Sequence, residues 1–185
     1  MTLYHLIHRP FFGTTLYPLS ELRHVDPALF EKQKAKYDGR ESLSEYGIEA
    51  FDCRWNDVIH LSPVHPKSIF TALKKAGYPQ SEKRHPYFFA LDPRALDPLL
   101  TIFFHPPHGQ EENYNPRKVR KYSTLPKATK EYYKEAIARR ESPLLWNLTT
   151  LVLYKGTIDI SAIPIIDRDG VVLEDKAKIF AEARG

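Results

Sequence analysis

The chain has 185 residues and a formal charge of +4, with 42% hydrophobic and 27% charged side chains. This length favours one domain that buries its own core, and the composition excludes a disordered chain. The mild positive charge permits a nucleic acid or another phosphate-bearing partner without requiring one.

Cys53 is the single cysteine, so no disulfide can form within the chain, as is typical of proteins from a reducing compartment. The segment 1–9 lacks the long apolar core of a signal peptide. No apolar run approaches the roughly 18 residues of a membrane span. We therefore predict a cytoplasmic protein that has no membrane partner.

The first half of the chain alternates between short strands and helices. Pro10 lacks an amide donor and ends the opening strand. Asp26 and Pro27 are typical of a helix start, and Gly77 is typical of a helix end. In chain order, the predicted elements are a strand over 2–8, a helix over 28–36, strands over 48–51 and 58–61, and a helix over 67–76.

In the second half, short apolar runs predict buried strands, and a polar, proline-bearing segment between them predicts a long loop. In chain order, the predicted elements are strands over 87–91 and 99–104, a loop over 105–125, a helix over 126–140, strands over 148–154 and 158–166, and a C-terminal helix over 174–184. Strands outnumber strict βαβ repeats, which predicts one α+β domain over 1–185. The chain has no glycine-rich phosphate loop, so a Rossmann or P-loop enzyme is disfavoured.

Two side chains of the first half are candidates for contacts with a nucleotide. The ring nitrogens of His5, in the first strand, could bond a ribose or a carboxamide, although a half-buried histidine of a strand is the alternative. The guanidinium of Arg40, after the first helix, suits a phosphate or carboxylate. Its alternative is a solvated charge at a helix C-terminus.

The segment 54–66 places polar groups at both ends of a short strand and before a helix start, where anions are favoured. Within it, His60-Leu61-Ser62 matches one H-x-[ST] triplet of the 2H phosphoesterases. That fold needs two such triplets, and the chain has no convincing second one. The phosphoesterase interpretation is therefore weak.

A metal site is the other reading of the polar loop, through His105, His108, Glu111 and Glu112. Zinc sites need three or four ligands in tetrahedral geometry, and the proline pair between the histidines does not fix that spacing. We predict no metal there.

Basic residues alternate with tyrosines over 114–140. This pattern suits a phosphate backbone and stacked bases, although Glu131 and Glu135 among the lysines are equally typical of a solvated helix face. The residues assigned to nucleic-acid binding are Arg117, Lys118, Arg120, Lys121 and Tyr122.

Taken in order, these pieces resemble the DarT-like DNA ADP-ribosyltransferase toxins, over residues 4 to about 166. The matching pieces are Tyr4-His5, Arg40, Asp57 to Pro63 with the helix that follows, Phe88 to Pro93, and Leu151 to Leu153 before Lys155-Gly156. The resemblance implies a mixed or antiparallel split sheet with flanking helices, NAD⁺ as the substrate, and an acceptor in DNA, RNA or protein. A toxin-like protein also implies a protein partner such as an antitoxin.

The resemblance further implies the roles of single residues. His5 would lie on the nicotinamide ribose side, and Arg40 would meet the pyrophosphate or the acceptor. The residues implied to bind the cofactor are Tyr4, His5, Arg40, Asp57, His60 and Ser62.

A glutamate leads the late strand in that family, and this chain has Thr149 and Thr150 there instead. Glu141, several residues earlier, is the substitute that we assign, and Asp159 is the alternative. Loss of an acid or base group costs about 10²–10⁴-fold in rate, so a chain that binds a nucleotide without transferring it stays open. So do a non-catalytic nucleic-acid-binding module that uses 114–140 and a protein-interaction domain.

Overall fold

A computed structural model describes residues 1–7, 13–35, 41–79 and 86–174. Arg40 therefore lies outside the described residues, as does the predicted C-terminal helix beyond Glu174. The strands are β1 (Leu3–Leu6), β2 (Thr15–Leu16), β3 (Gly47–Ile48), β4 (Cys53–Arg54), β5 (Ile59–Leu61), β6 (Tyr87–Leu91), β7 (Thr101–His105), β8 (Gln110–Asn113), β9 (Leu151–Tyr154), β10 (Ile158–Asp159) and β11 (Ile165–Asp167). The helices are α1 (Leu19–Val25), α2 (Pro27–Lys34), α3 (Glu41–Ser44), α4 (Pro66–Lys75) and α5 (Lys127–Ala138).

Two antiparallel sheets carry the fold, one of three strands in the order β1-β6-β11 and one of four strands in the order β5-β9-β7-β8. They touch where Tyr4 and Ser62 form an isolated bridge between β1 and β5. Each of these two residues donates its N–H to the carbonyl of the other, at 2.8 and 2.9 Å. The predicted single α+β domain with antiparallel sheets is confirmed.

One core joins the two sheets, because alternate side chains of each strand point to the same face. Leu3 and Phe89 reach this shared core from the three-stranded sheet, and Leu61, Phe103 and Val152 reach it from the four-stranded sheet. All five side chains are essentially inaccessible to solvent. The shared core therefore fixes how one sheet lies on the other.

Helix α4 begins and ends as its sequence predicts. His65 is the N-cap residue, and its Nδ1 accepts the Lys67 N–H at 3.1 Å. The chain leaves the helix through Gly77 at φ +89°, a conformation that costs glycine little. Ile69 and Leu73, four residues apart, are fully buried against α5.

The prediction of a long loop over 105–125 is wrong, because β8 and a 3₁₀ helix at Pro116–Tyr122 occupy that segment. Gly109 makes the turn into β8 at φ +68°, and a Cβ there would lie 1.9 Å from the Tyr46 hydroxyl. Strand β8 carries polar side chains only and pairs with β7 through its backbone. An edge strand of this kind gives no apolar signal in the sequence.

Two other predicted strands are corrected by the structure. The segment 48–51 leaves β3 for a 3₁₀ helix, where the carboxylate of Glu111 accepts the Glu49 and Ala50 N–H groups at 2.9 and 2.8 Å. The segment 158–166 divides into β10, which pairs with β2, and β11, which pairs with β6. Long-range partners that no local pattern reveals cause both changes.

We expect Leu61→Ala to lower the free energy of unfolding by about 2–5 kcal/mol, because it opens a cavity in the shared core. Leu99 is 86% exposed, so Leu99→Ala is the matched control and should change stability by less than about 0.5 kcal/mol. Urea unfolding followed by tryptophan fluorescence measures both variants. Equal losses in the two would contradict the position assigned to the core.

Candidate functional site

Four of the residues assigned to the site lie together, where β1 meets β5. Tyr4 and Ser62 form the bridge between the sheets, and the Nδ1 atom of His5 donates to the carbonyl oxygen of His60 at 2.9 Å. A carbonyl oxygen only accepts, so Nδ1 carries the hydrogen of His5. In the neutral ring, Nε2 therefore carries the lone pair.

A cavity of about 160 Å³ opens beside His5, between the two sheets and helices α1 and α2. Most of its lining is apolar, and its polar lining residues are Thr15, Tyr17, Asp26, Gln33, His5 and His60. Sites for drug-sized ligands usually measure about 300–1,000 Å³. We call this cavity the His5 cleft; its size suits one ring rather than a whole dinucleotide.

His60 is held neutral at the wall of the His5 cleft. Its ring lies 4.4 Å from the Trp55 ring, centroid to centroid. Burial, and secondly the nearby His5, lower the pKa of His60 to about 3. The Nε2 atom is buried and has no hydrogen-bond partner among the described residues. An acceptor or donor of a bound ligand would satisfy that atom.

Asp26 provides the only carboxylate among the described residues that line the His5 cleft. One of its oxygens accepts the Leu29 N–H at 2.9 Å and so caps α2. The sequence predicts this cap but gives no sign that the same carboxylate faces a cavity. The reason is that the cavity needs β1 and β5 beside α2, which no local pattern shows.

Other assigned residues lie away from the His5 cleft. Glu141 follows the exposed end of α5, where its carboxylate accepts from Arg139 at 2.9 Å. The carboxylate of Asp57 accepts the Arg54 N–H at 2.8 Å and closes a 3₁₀ turn. Neither Glu141 nor Asp57 lines the cleft. Their roles, and that of Arg40 outside the described residues, stay predictions.

A second polar cluster, which the sequence did not assign to an active centre, lies where β7 ends and β9 begins. Nε2 of His105 lies 3.1 Å from Oε2 of Glu112, and Nδ1 lies 3.1 Å from Oγ1 of Thr150. A carboxylate only accepts, so Nε2 of the neutral ring carries the hydrogen and the Thr150 hydroxyl donates to Nδ1. Thr150 stands where the resemblance implies a glutamate.

Glu112 ties the basic 3₁₀ helix to this cluster. Its carboxylate accepts from Lys118 Nζ at 2.6 Å and from the Tyr122 hydroxyl at 2.5 Å. The hydrogen bond from Lys118, then that from Tyr122, lower the pKa of Glu112 to about 2. Nζ of Lys121 in turn donates to the Tyr122 hydroxyl at 3.1 Å. Three of the five residues assigned to nucleic acid therefore belong to one network.

Metal binding finds no support in this region. Among the described residues, no three His, Cys, Asp or Glu side chains converge on a point that could hold a metal ion. Glu111, one of the four residues considered, instead caps the Glu49–Phe51 3₁₀ helix.

Searches against protein families, curated proteins and solved structures find no match to this chain. In the part of the chain that the structure describes, the helices are too short or too polar to cross a bilayer. The resemblance to the DarT-like toxins therefore stays a prediction from the sequence.

The low pKa of His60 predicts a loss of stability in mild acid. Below pH 6.5, its unperturbed value, the unfolded chain takes up a proton that the folded chain does not, so the free energy of unfolding falls with pH. The fall is about 1.4 kcal/mol per pH unit. Between about pH 7 and pH 5, we expect the wild type to lose about 2 kcal/mol more than His60→Phe.

His60→Phe is the appropriate comparison because it keeps a ring against Trp55 and cannot be protonated. Denaturant titrations at the two pH values measure the effect. Equal losses in both proteins would mean that His60 is not held neutral by the fold.

Proposed function

We propose that the chain is a NAD⁺-binding, ADP-ribosyltransferase-like domain whose nicotinamide-side contacts lie in the His5 cleft. The observation that carries the proposal is the hydrogen bond from His5 Nδ1 to the His60 carbonyl. It holds one imidazole in one tautomer at the opening between two sheets. The split sheet and the position of His5 in β1 agree with what the sequence resemblance implies.

The chemistry of the cleft suits the nicotinamide end of the dinucleotide. Nε2 of His5, which carries the lone pair, suits a ribose hydroxyl or a carboxamide N–H as donor. Apolar walls from Leu6, Ile59 and Phe89 suit a flat ring. At about 160 Å³, the cavity has room for the nicotinamide ring, and the remainder of NAD⁺ would lie outside it.

Binding is better supported than transfer. Transfer needs a carboxylate that stabilises the oxocarbenium-like ribose, and Thr149 and Thr150 stand at the place implied for it. Asp26 is the carboxylate that the described lining of the cleft provides. We therefore propose NAD⁺ binding as the primary activity, with Asp26 rather than Glu141 as the acidic group in reach of a bound nicotinamide ribose.

We expect His5→Asn to abolish the NAD⁺-dependent rise in Tm. The asparagine amide can still donate to the His60 carbonyl, but it lacks the acceptor that Nε2 provides. In the wild type, NAD⁺ at about 100 times its Kd should stabilise the fold by about 2.7 kcal/mol. His24→Asn changes an exposed histidine of α1 outside the described lining, so it should keep the full rise.

Thermal melts with and without NAD⁺ make this measurement, and calorimetric titration gives the affinity. A wild type whose Tm ignores NAD⁺ would overturn the proposal. Transfer is measured separately, by incubation with labelled NAD⁺ and DNA, RNA or cell lysate. Label on any of these acceptors would add transfer to binding.

A second candidate function is nucleic-acid binding through the Pro116–Tyr122 3₁₀ helix. Arg117 and Arg120 are exposed and make no ion pair within the described part of the chain. The Glu112 network holds Lys118 and Tyr122 beside them. An ordered row of cations beside an aromatic ring suits a strand of phosphates and bases.

We expect Arg117→Gln/Arg120→Gln to lessen the salt dependence of nucleic-acid affinity. Each lost phosphate contact should reduce the slope of log K against log salt by about 0.9, or about 1.8 for the pair. Arg54→Gln/Arg139→Gln removes the same charge from exposed arginines elsewhere and serves as control. Fluorescence anisotropy with labelled DNA and RNA measures the slopes, and identical slopes in both variants would remove this assignment.

A further inference from the structure

A groove of about 750 Å³ runs between α4 and α5. Ala72, Ala76 and Leu125 contribute apolar lining, and the two helices pack together through Ile69, Leu73 and Tyr133. Its volume is within the range of about 300–1,000 Å³ that ligand sites occupy. We call it the α4–α5 groove; it is lined by other residues than the His5 cleft.

Lysines give this groove its charge. Lys67 and Lys75 line it from α4, and Lys130 and Lys134 line it from α5. Glu131 is the only carboxylate in the described lining, and it pairs with Lys134 at 3.3 Å. The other three lysines make no ion pair within the described residues. Four positive charges against one negative charge leave an excess of three.

The histidine at the end of the groove adds no charge at neutral pH. Burial, and secondly the charge of Lys67, lower the pKa of His65, so its ring is neutral there. The hydroxyls of Ser68, Thr71, Ser123 and Thr124 also line the groove. Hydroxyl donors beside cations are the groups with which proteins hold phosphate oxygens.

The spacing of the lysines favours a chain of phosphates over a single phosphate. Lys67 and Lys75 are eight residues apart on one helix, which corresponds to about 12 Å along its axis. One strand of DNA rises about 3.4 Å per phosphate, so the lysines extend over several phosphates. A concave groove between two helices also fits a strand better than it fits a flat membrane surface.

We propose that the α4–α5 groove binds a nucleic-acid strand through its phosphates. The inference rests on the second candidate function, that this chain binds nucleic acid, and adds a site that the sequence did not assign. Positions 67, 71 and 75 lie on one face of α4 because a helix repeats every 3.6 residues. The opposite face of α4 carries the buried Ile69 and Leu73, so the two faces have separate tasks.

The test compares two double variants of the full chain. Lys75→Gln/Lys130→Gln removes one groove lysine from each helix. Lys74→Gln/Lys127→Gln removes the same charge from the same two helices, at exposed positions outside the described lining. Anisotropy titrations with a fluorescein-labelled thymidine oligonucleotide and its RNA counterpart, at about 50–200 mM salt, give the affinities.

We expect the groove variant to reduce the salt slope by about 1.8 and the control variant to leave it unchanged. Over a fourfold rise in salt, the wild type should then lose about ten times more affinity than the groove variant. Equal changes in the two variants would overturn the inference, since the binding would be diffuse.

The remaining outcomes separate the site from the function. Should Arg117→Gln/Arg120→Gln weaken binding while the groove variant does not, nucleic-acid binding stands and the groove site fails. Should the wild type bind neither oligonucleotide at about 50 mM salt, the second candidate function fails together with the groove. Lysine-dependent binding to phosphatidylserine vesicles, without binding to oligonucleotides, would also overturn the inference.

Discussion

The bridge between Tyr4 and Ser62 is the constraint on which the rest of the structure depends. It joins two sheets through one residue pair, and beyond it β1 and β5 diverge. The carbonyl of His60 then needs another donor, because a buried carbonyl without a partner is costly. The imidazole of His5 provides that donor. The divergence of the strands therefore creates the cleft and, at the same time, orients the histidine at its wall.

Local signals predicted the elements that form for local reasons. Asp26 caps α2 and Gly77 follows α4, since each acts on atoms within a few residues of itself. Strand β8 and the Glu49–Phe51 3₁₀ helix escaped prediction for the opposite reason. The first is held by backbone bonds to β7, and the second by a carboxylate 61 or 62 residues away. Sequence periodicity reports burial, and these elements depend little on it.

The candidate site divides in the same way. Tyr4, His5, His60 and Ser62 were predicted together because two short strands carry them all, and pairing one pair of residues brings the others along. The cluster of His105, Glu112 and Thr150 was not predicted as a unit, because its contacts cross between β8, β7 and the start of β9. Its carboxylate comes from an edge strand and not from the late strand, so a search for a glutamate near Thr150 could not find it.

The cleft and the α4–α5 groove are joined by a very short connection. Ser62 pairs with Tyr4, its hydroxyl accepts the Val64 N–H at 3.1 Å, and His65 then caps α4. The Tyr4 ring also meets the His65 ring edge-on, with centroids 5.1 Å apart. Short, hydrogen-bonded connections leave little freedom for relative movement. A strand held in the groove would thus keep a fixed position relative to His5, so the two proposed sites are compatible within one molecule.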